Sequence, residues 1–271
     1  MKINGLIKKM GWVAIMLAAL SDGLSAQNSD QKLSVWLNGG SGLGLWDCYD
    51  NGTVPYPNLG LAADLDLGLT FEWQRYHLQA DTRLAGGLLM VVEGYAVDID
   101  LRLEALYRCY DGKRNRLHLW AGGGMWCCTD VKVLPSMNNA STGTSVFRNL
   151  CAEGMVQYDF GNAHNDTHNF LTAYAKLSLP LAGIATRPGF AFMDNYTSEL
   201  DLTNTLLNDY ETFGIAFPGI GTDIGIRFNL PKGNKIGISY SWDYLTTRHK
   251  GVYRFDNACH LFNLYFMFNI N

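Results

Sequence analysis

Past residue 26, this chain of 271 residues has no apolar run near the ~20 residues that a membrane-spanning helix needs. Yet 48% of its residues are hydrophobic, so the apolar content must be spread out instead of blocked together. Charge is scarce as well, at 17%, and Lys and Arg form no stripe or cluster. With a net charge of -4, that distribution argues against a nucleic-acid partner. Signatures of common chemistry are missing too: no Gly-x-Ser-x-Gly, no His-Glu-x-x-His, no phosphate loop and no dinucleotide fingerprint. No catalytic residue, metal ligand set or cofactor is expected on these grounds.

The N-terminus has a pattern of its own. Lys2, Lys8 and Lys9 precede an apolar stretch from Trp12 to Leu20, and Leu24-Ser25-Ala26 follow before Gln27. A basic start, a short apolar core and small residues at a cleavage point describe a secretory signal peptide. The expected organisation is a signal peptide at 1–26 and one exported domain at 27–271.

Within that domain the dominant feature is alternation. From Leu59 to Trp73, Leu59, Leu61, Ala63, Leu65, Leu67, Leu69, Phe71 and Trp73 share one face, while Asp64, Asp66, Thr70 and Glu72 lie on the other. Successive side chains of a strand point to opposite faces, so one side of this strand is apolar and the other carries charge. Its length suits a tilted strand crossing a bilayer better than the usual ~5–6 residues of a soluble strand. The pattern recurs, giving expected strands at 33–46, 59–73, 76–86, 95–109, 116–127, 149–160, 169–182, 214–230, 235–245 and 258–270. A twelve-strand variant, with a further hairpin in 189–207, or a short helix over 198–210, remains open at this stage. Short connections, as at Gln74-Arg75 and Pro231–Asn234, alternate with mostly longer ones, such as Cys128–Arg148 and Gly183–Phe213. Phe71, Trp73, Tyr76, Tyr107, Tyr158 and Phe160 gather at one level and Tyr95, Trp242 and Tyr244 at the other, as amphipathic rings do at two interfaces. The expected fold is all-β: an antiparallel, up-and-down transmembrane β-barrel of about ten strands.

On these strands and turns, the chain resembles the small outer-membrane barrels of Gram-negative envelopes. That group includes OmpA-like and OmpW-like proteins, porin-like barrels and the ten-stranded omptin proteases. The resemblance covers 27–271 and is architectural, and the final Asn271 departs from the Phe or Trp that ends many such barrels. It implies residence in the outer membrane, contact with its lipid, short periplasmic turns and long extracellular loops. The omptin likeness implies a protease with acidic pairs and an Asp-x-His at the outer rim. Asp64 and Asp66 form such a pair, but the Asp-x-His here, Asp166–His168, falls in an expected periplasmic turn. His164 joins those two as a conceivable metal-binding group, against which a solvated turn is the commoner explanation.

A barrel of this size is too narrow for a wide pore, and side chains fill most of it. The polar parity points Asp64, Asp66, Asp81, Arg83, Asp98, Asp100, Arg102, Glu104, Glu153, Lys176, Asp223, Arg227 and Asp243 inward. Such charges need partners, so a salt-bridge network is expected, with Asp66 facing Arg83 and Glu153 reaching Lys176. Gly40, Gly42, Gly44, Gly122, Gly124, Gly219, Gly221 and Gly225 share the inner face with Trp36, Trp46, Trp120, Trp126 and Tyr265, and the rings are expected to pack over the glycines. Cys48, Cys127, Cys128, Cys151 and Cys259 map to the outer rim and Cys109 to the opposite end. Parity and export suggest disulfides Cys128–Cys151 and Cys48–Cys259, against the alternative of isolated thiols.

Three function classes follow. The first is a structural or surface-interaction barrel that meets an extracellular or envelope protein partner through its long loops. The second is a narrow channel or transporter for small solutes or apolar molecules. The third, an outer-membrane hydrolase, has no residue that selects it.

Overall fold

A computed structural model of the chain describes residues 33–50, 54–112, 116–136, 142–160, 170–188, 210–249 and 253–270. The expected signal peptide, the His164–Asp166–His168 turn and all of 189–209, where a further hairpin or a short helix was open, lie outside these residues. Eleven strands follow one another: β1 (Ser34–Asp50), β2 (Val54–Trp73), β3 (Tyr76–Leu89), β4 (Gly94–Asp111), β5 (Leu117–Val133), β6 (Thr142–Phe160), β7 (Leu171–Pro188), β8 (Tyr210–Ala216), β9 (Gly219–Asn229), β10 (Lys235–His249) and β11 (Tyr253–Asn269). Each pairs antiparallel with its neighbours, and β11 returns to β1 with Trp36 opposite Asn269 and Asp50 opposite Phe255. The sheet therefore closes into a ten-strand barrel with β8 as an additional short strand. Closure leaves no sheet edge to be satisfied in hydrocarbon, where an unpaired backbone group costs several kcal/mol.

The expected single strand 214–230 is broken. Phe217, with φ 49°, and Pro218 separate β8 from β9. Proline has no N–H to give to a ladder, and across the gap Pro180 sits at a register irregularity of its own in β7. So β9 pairs with the first half of β7, Leu171–Ser178, and β8 with the second half, Ala182–Pro188.

The outer wall is apolar. Leu43, Leu65, Leu67 and Phe262 are 62–70% exposed, whereas inward Asp64, Asp100 and Asp243 are at most 5% exposed. An exterior of bare leucine and phenylalanine around a charged interior is stable only where hydrocarbon surrounds it, which makes this a transmembrane barrel. Rings mark one interface near the short turns: Trp73 stacks on Tyr76 at 5.9 Å, Tyr76 meets Tyr107 at 5.4 Å, and Tyr158 meets Phe160 at 4.8 Å. Trp242 stacks on Tyr244 and on His260 nearer the other end, at 6.5 and 6.0 Å.

Most strands run beyond their expected limits at the end carrying the longer loops. β5 continues to Val133, β6 begins at Thr142, β7 continues to Pro188 and β10 to His249. Above the bilayer the outward side chains no longer need to be apolar, so the hydrophobic alternation fades while the hydrogen-bond ladder goes on.

Candidate functional site

The chemistry-bearing side chains lie in the lumen, in layers set by the register. At the loop end, Arg187 on β7 donates through Nη2 to Asp50 on β1 at 2.5 Å and through Nε to Ser145 on β6 at 3.1 Å. Lys132 donates to Asp130 at 2.5 Å, and both cations lie within 4.7 Å of the Phe255 ring centre. Beneath them two apolar groups span the barrel. Trp126, Cys128, Phe147, Cys151, Ala185, Leu245 and Phe255 form one, with the two phenylalanine rings 5.0 Å apart. Trp46, Cys48, Ala62, Ala85, Leu89, Ala96, Leu134, Cys259 and Leu261 form the other. Trp46 is wholly buried, its indole N–H donates to Asn257 at 2.5 Å, and its ring occupies the space that a side chain on Gly87 would need.

The central layer is the charge network. Arg83 binds Asp100 through one terminal nitrogen and Asp243 through the other, the latter at 2.6 Å. Arg102 shares the same Asp243 oxygen at 2.7 Å and lies 4.3 Å from the Trp126 ring centre. Trp126 in turn donates to Asp100 at 2.9 Å, and Asn257 donates to Asp98 at 3.1 Å. Lys176 reaches across the lumen to Glu104 at 2.5 Å, and Ser178 donates to Glu153 at 2.7 Å. Asp64 and Asp66 stand beside this network on β2 and are taken up below.

Toward the turn end Tyr174 donates to Asp223 at 3.1 Å, Tyr265 donates to Tyr174 at 3.2 Å, and Arg227 lies over the Tyr174 ring at 4.3 Å. Gln79 donates to Asp81 at 2.5 Å. A cavity of about 160 Å³ extends through this half, with Asp66, Arg83 and Asn263 at its inner end and His77 and Met267 toward the turns. At the floor, His77 contacts Glu72 at 3.1 Å and Gln79 at 3.2 Å, while His118 contacts Asp111 at 2.6 Å and Asp159 at 3.3 Å.

The thirteen charged residues named from the sequence are buried or half-buried, but the two expected pairs do not form. Asp66 does stand opposite Arg83 in register, yet the long Arg83 side chain extends over the lumen to Asp100 on β4 and Asp243 on β10. Glu153 stands opposite Ser178 and takes its hydroxyl, because Lys176 is one pleat away and Glu104 claims it. Adjacent-strand parity predicts facing residues, whereas long side chains in a narrow barrel reach across it.

Nor do the expected disulfides form: all six cysteines are thiols. Cys128 faces Phe147 and Cys151 faces Gly124, so the two are four residues, ~13 Å, out of register. Cys48 and Cys259 are diagonal neighbours, opposite Asn257 and Trp46 respectively, a spacing of ~7–8 Å that is too wide for a disulfide without backbone movement. Sequence reasoning missed Asp50, Asp130, Lys132 and Arg187 at the loop end, and His77, His118 and Asp159 near the turns. A signal was present for all but Arg187. Asp50 keeps the inward parity of Cys48, Asp130 and Lys132 that of Cys128, and His77, His118 and Asp159 that of Arg83, Trp120 and Glu153, whereas the irregularity in β7 puts Arg187 out of step.

This is the architecture of the small outer-membrane β-barrel proteins. No family model matches the chain, and no curated protein matches it. Among solved structures it is similar to the outer membrane protease OmpT of Escherichia coli, with 8% identity over 90% of this chain and 99% of that one and a TM-score of 0.48. It is also similar to the translocator domain of the autotransporter NalP from Neisseria meningitidis, at 9% identity, 97% of both chains and a TM-score of 0.35. The toluene transporter TodX of Pseudomonas putida is similar at 9% identity over 90% of each chain, with a TM-score of 0.27.

Proposed function

We propose that the chain is an outer-membrane barrel with a filled lumen, which acts as a wall-embedded scaffold and meets an extracellular or envelope protein partner through its loop end. One observation carries this reading. Trp46, Phe147, Phe255 and Leu261 are wholly buried inside the barrel, Trp126 and Leu245 nearly so, and the Arg83–Asp243–Arg102 network lies directly beneath. Two layers packed with side chains, in series, favour the protein's outward-facing surfaces as the place where it meets other molecules. Outer-membrane lipid is the constant neighbour of the leucine-rich wall.

Reconstitution into planar bilayers tests the reading. The expected outcome is a silent membrane, with no swelling of liposomes in small sugars or amino acids. Discrete conductance steps from the wild-type barrel would overturn it in favour of a second reading, a narrow path for small solutes, whose support is the 160 Å³ polar cavity in the turn half. Hydrolysis of outer-membrane lipid or peptide by purified barrel would overturn both.

A further inference from the structure

The inner face of β1 carries Gly40, Gly42 and Gly44, and at Gly42 side chains of both neighbouring strands lean over the glycine. Gly42 stands opposite Asp64 on β2 and Asn263 on β11. A methyl group on Gly42 would collide with Asn263 Oδ1 and with Asp64 Oδ1, so the two oxygens converge on one point above the glycine. Both are buried acceptors without a partner at ordinary hydrogen-bond geometry, as is Asp64 Oδ2, although the Gly42 N–H and the Asp66 carboxyl stand beside Asp64. Asp64 is 4% exposed. The orientation of the Asn263 amide is set by its nitrogen, which donates to Ser241 at 3.1 Å and so turns the oxygen toward Asp64. Asp66, two residues along the same face, places its carboxyl beside that of Asp64.

Unpartnered buried oxygens that face one another repel unless something positive lies between them. Arg83 is the nearest cation, but its terminal nitrogens are already committed to Asp100 and Asp243. Asp243 adds further negative charge on the same side. We propose that the barrel binds a Ca²⁺ ion above Gly42, held by the carboxylates of Asp64 and Asp66 and the carboxamide oxygen of Asn263. The donors are all hard oxygens, two charged and one neutral, the ligand type that Ca²⁺ takes with a flexible coordination number, whereas Mg²⁺ demands a strict octahedron. Two carboxylates balance the charge of one such ion. The cavity reaches Asp66 and Asn263 from the turn half and provides room for the water that completes the shell. Because its ligands come from β2 and β11 across β1, the ion would staple the seam where the first and last strands meet.

The test refolds the full barrel from urea into detergent micelles with Ca²⁺ or with chelator, removes free ion by gel filtration and measures bound metal by mass spectrometry. Wild type refolded with Ca²⁺ is expected to retain about one ion per chain and to need a higher temperature for its heat-dependent gel shift than the chelated sample. Asp64→Asn is expected to lose the ion, and so is Asn263→Ala, which removes only the neutral ligand and keeps the test open if the first variant fails to refold. A metal-free wild type would overturn the proposal, leaving the two carboxyls to share a proton. Variants that keep their Ca²⁺ would overturn it equally, since the ion would then lie elsewhere. Mg²⁺ replacing Ca²⁺ at equal concentration would overturn the assignment of the ion.

Discussion

At the scale of single residues, Asp243 is the keystone of the charge network, because one carboxylate oxygen serves both Arg83 and Arg102. Removing it leaves two buried guanidinium groups with one shared partner fewer. Asp243→Ala is therefore expected to lower the unfolding free energy in urea by about 3–5 kcal/mol, the cost of breaking a buried pair by taking one partner away. Gly87 makes an independent case. The Trp46 ring presses against it, with Cε3 2.6 Å from where a Cβ would stand. Gly87→Val forces that indole, and its bond to Asn257, out of place, and about 1–3 kcal/mol of stability should go with it in the same titration. The expected packing of tryptophan rings over the inward glycines is not what forms. Those glycines lie closest to backbone or to the side chains of Tyr265, Asn263, Asp64 and Asp243, and the glycine that Trp46 covers, Gly87, fell in an expected connection. Such partners depend on strands brought together from distant parts of the chain.

At the scale of the strand, the alternation in β2 states the two solvents directly. Leu65 looks into hydrocarbon, 62% exposed, between Asp64 and Asp66 that look into the lumen. Leu65→Arg should cost about 2–4 kcal/mol of folding free energy in lipid vesicles, the penalty for a cation near the bilayer midplane. A loss under about 1 kcal/mol would place this stretch of β2 near an interface instead. The strands legible in the sequence were those whose outward face is bathed in lipid, and there the expected limits hold at the turn ends. They stopped short at the loop end for a physical reason: at Lys132 and Arg187 the inward face is still selected but the outward one is free to be polar. The break at Phe217–Pro218 escaped notice because Gly214–Leu230 alternates tolerably on both sides of it; only the missing proline N–H betrayed it.

For the whole molecule, the lumen charges were legible as a set and illegible as a circuit. Parity sorts a residue inward, but across a narrow barrel a lysine on β7 can choose among several walls, and Lys176 chose Glu104 on β4. The cysteines carry the same lesson, since sharing a rim does not bring two sulfurs into register. Unfolded in urea without reductant, the protein should titrate six thiols, and its mobility on gels should not respond to reductant. Fewer than six would show that a disulfide forms after all.

The meeting of β1 and β11 sets a timetable. Trp46 must find Asn257, 211 residues away, before its buried N–H is satisfied. Closing a loop of that size costs about 5 kcal/mol of chain entropy by the logarithmic rule, and no local contact offsets it in advance. The first strand of the barrel thus waits, one edge bare, for the last. Nucleation within β2–β5 can run early because those neighbours are joined by short connections, but the cylinder snaps shut in a single late step. Chains arrested before β11 would accumulate as open sheets with two sticky edges, prone to pair with one another.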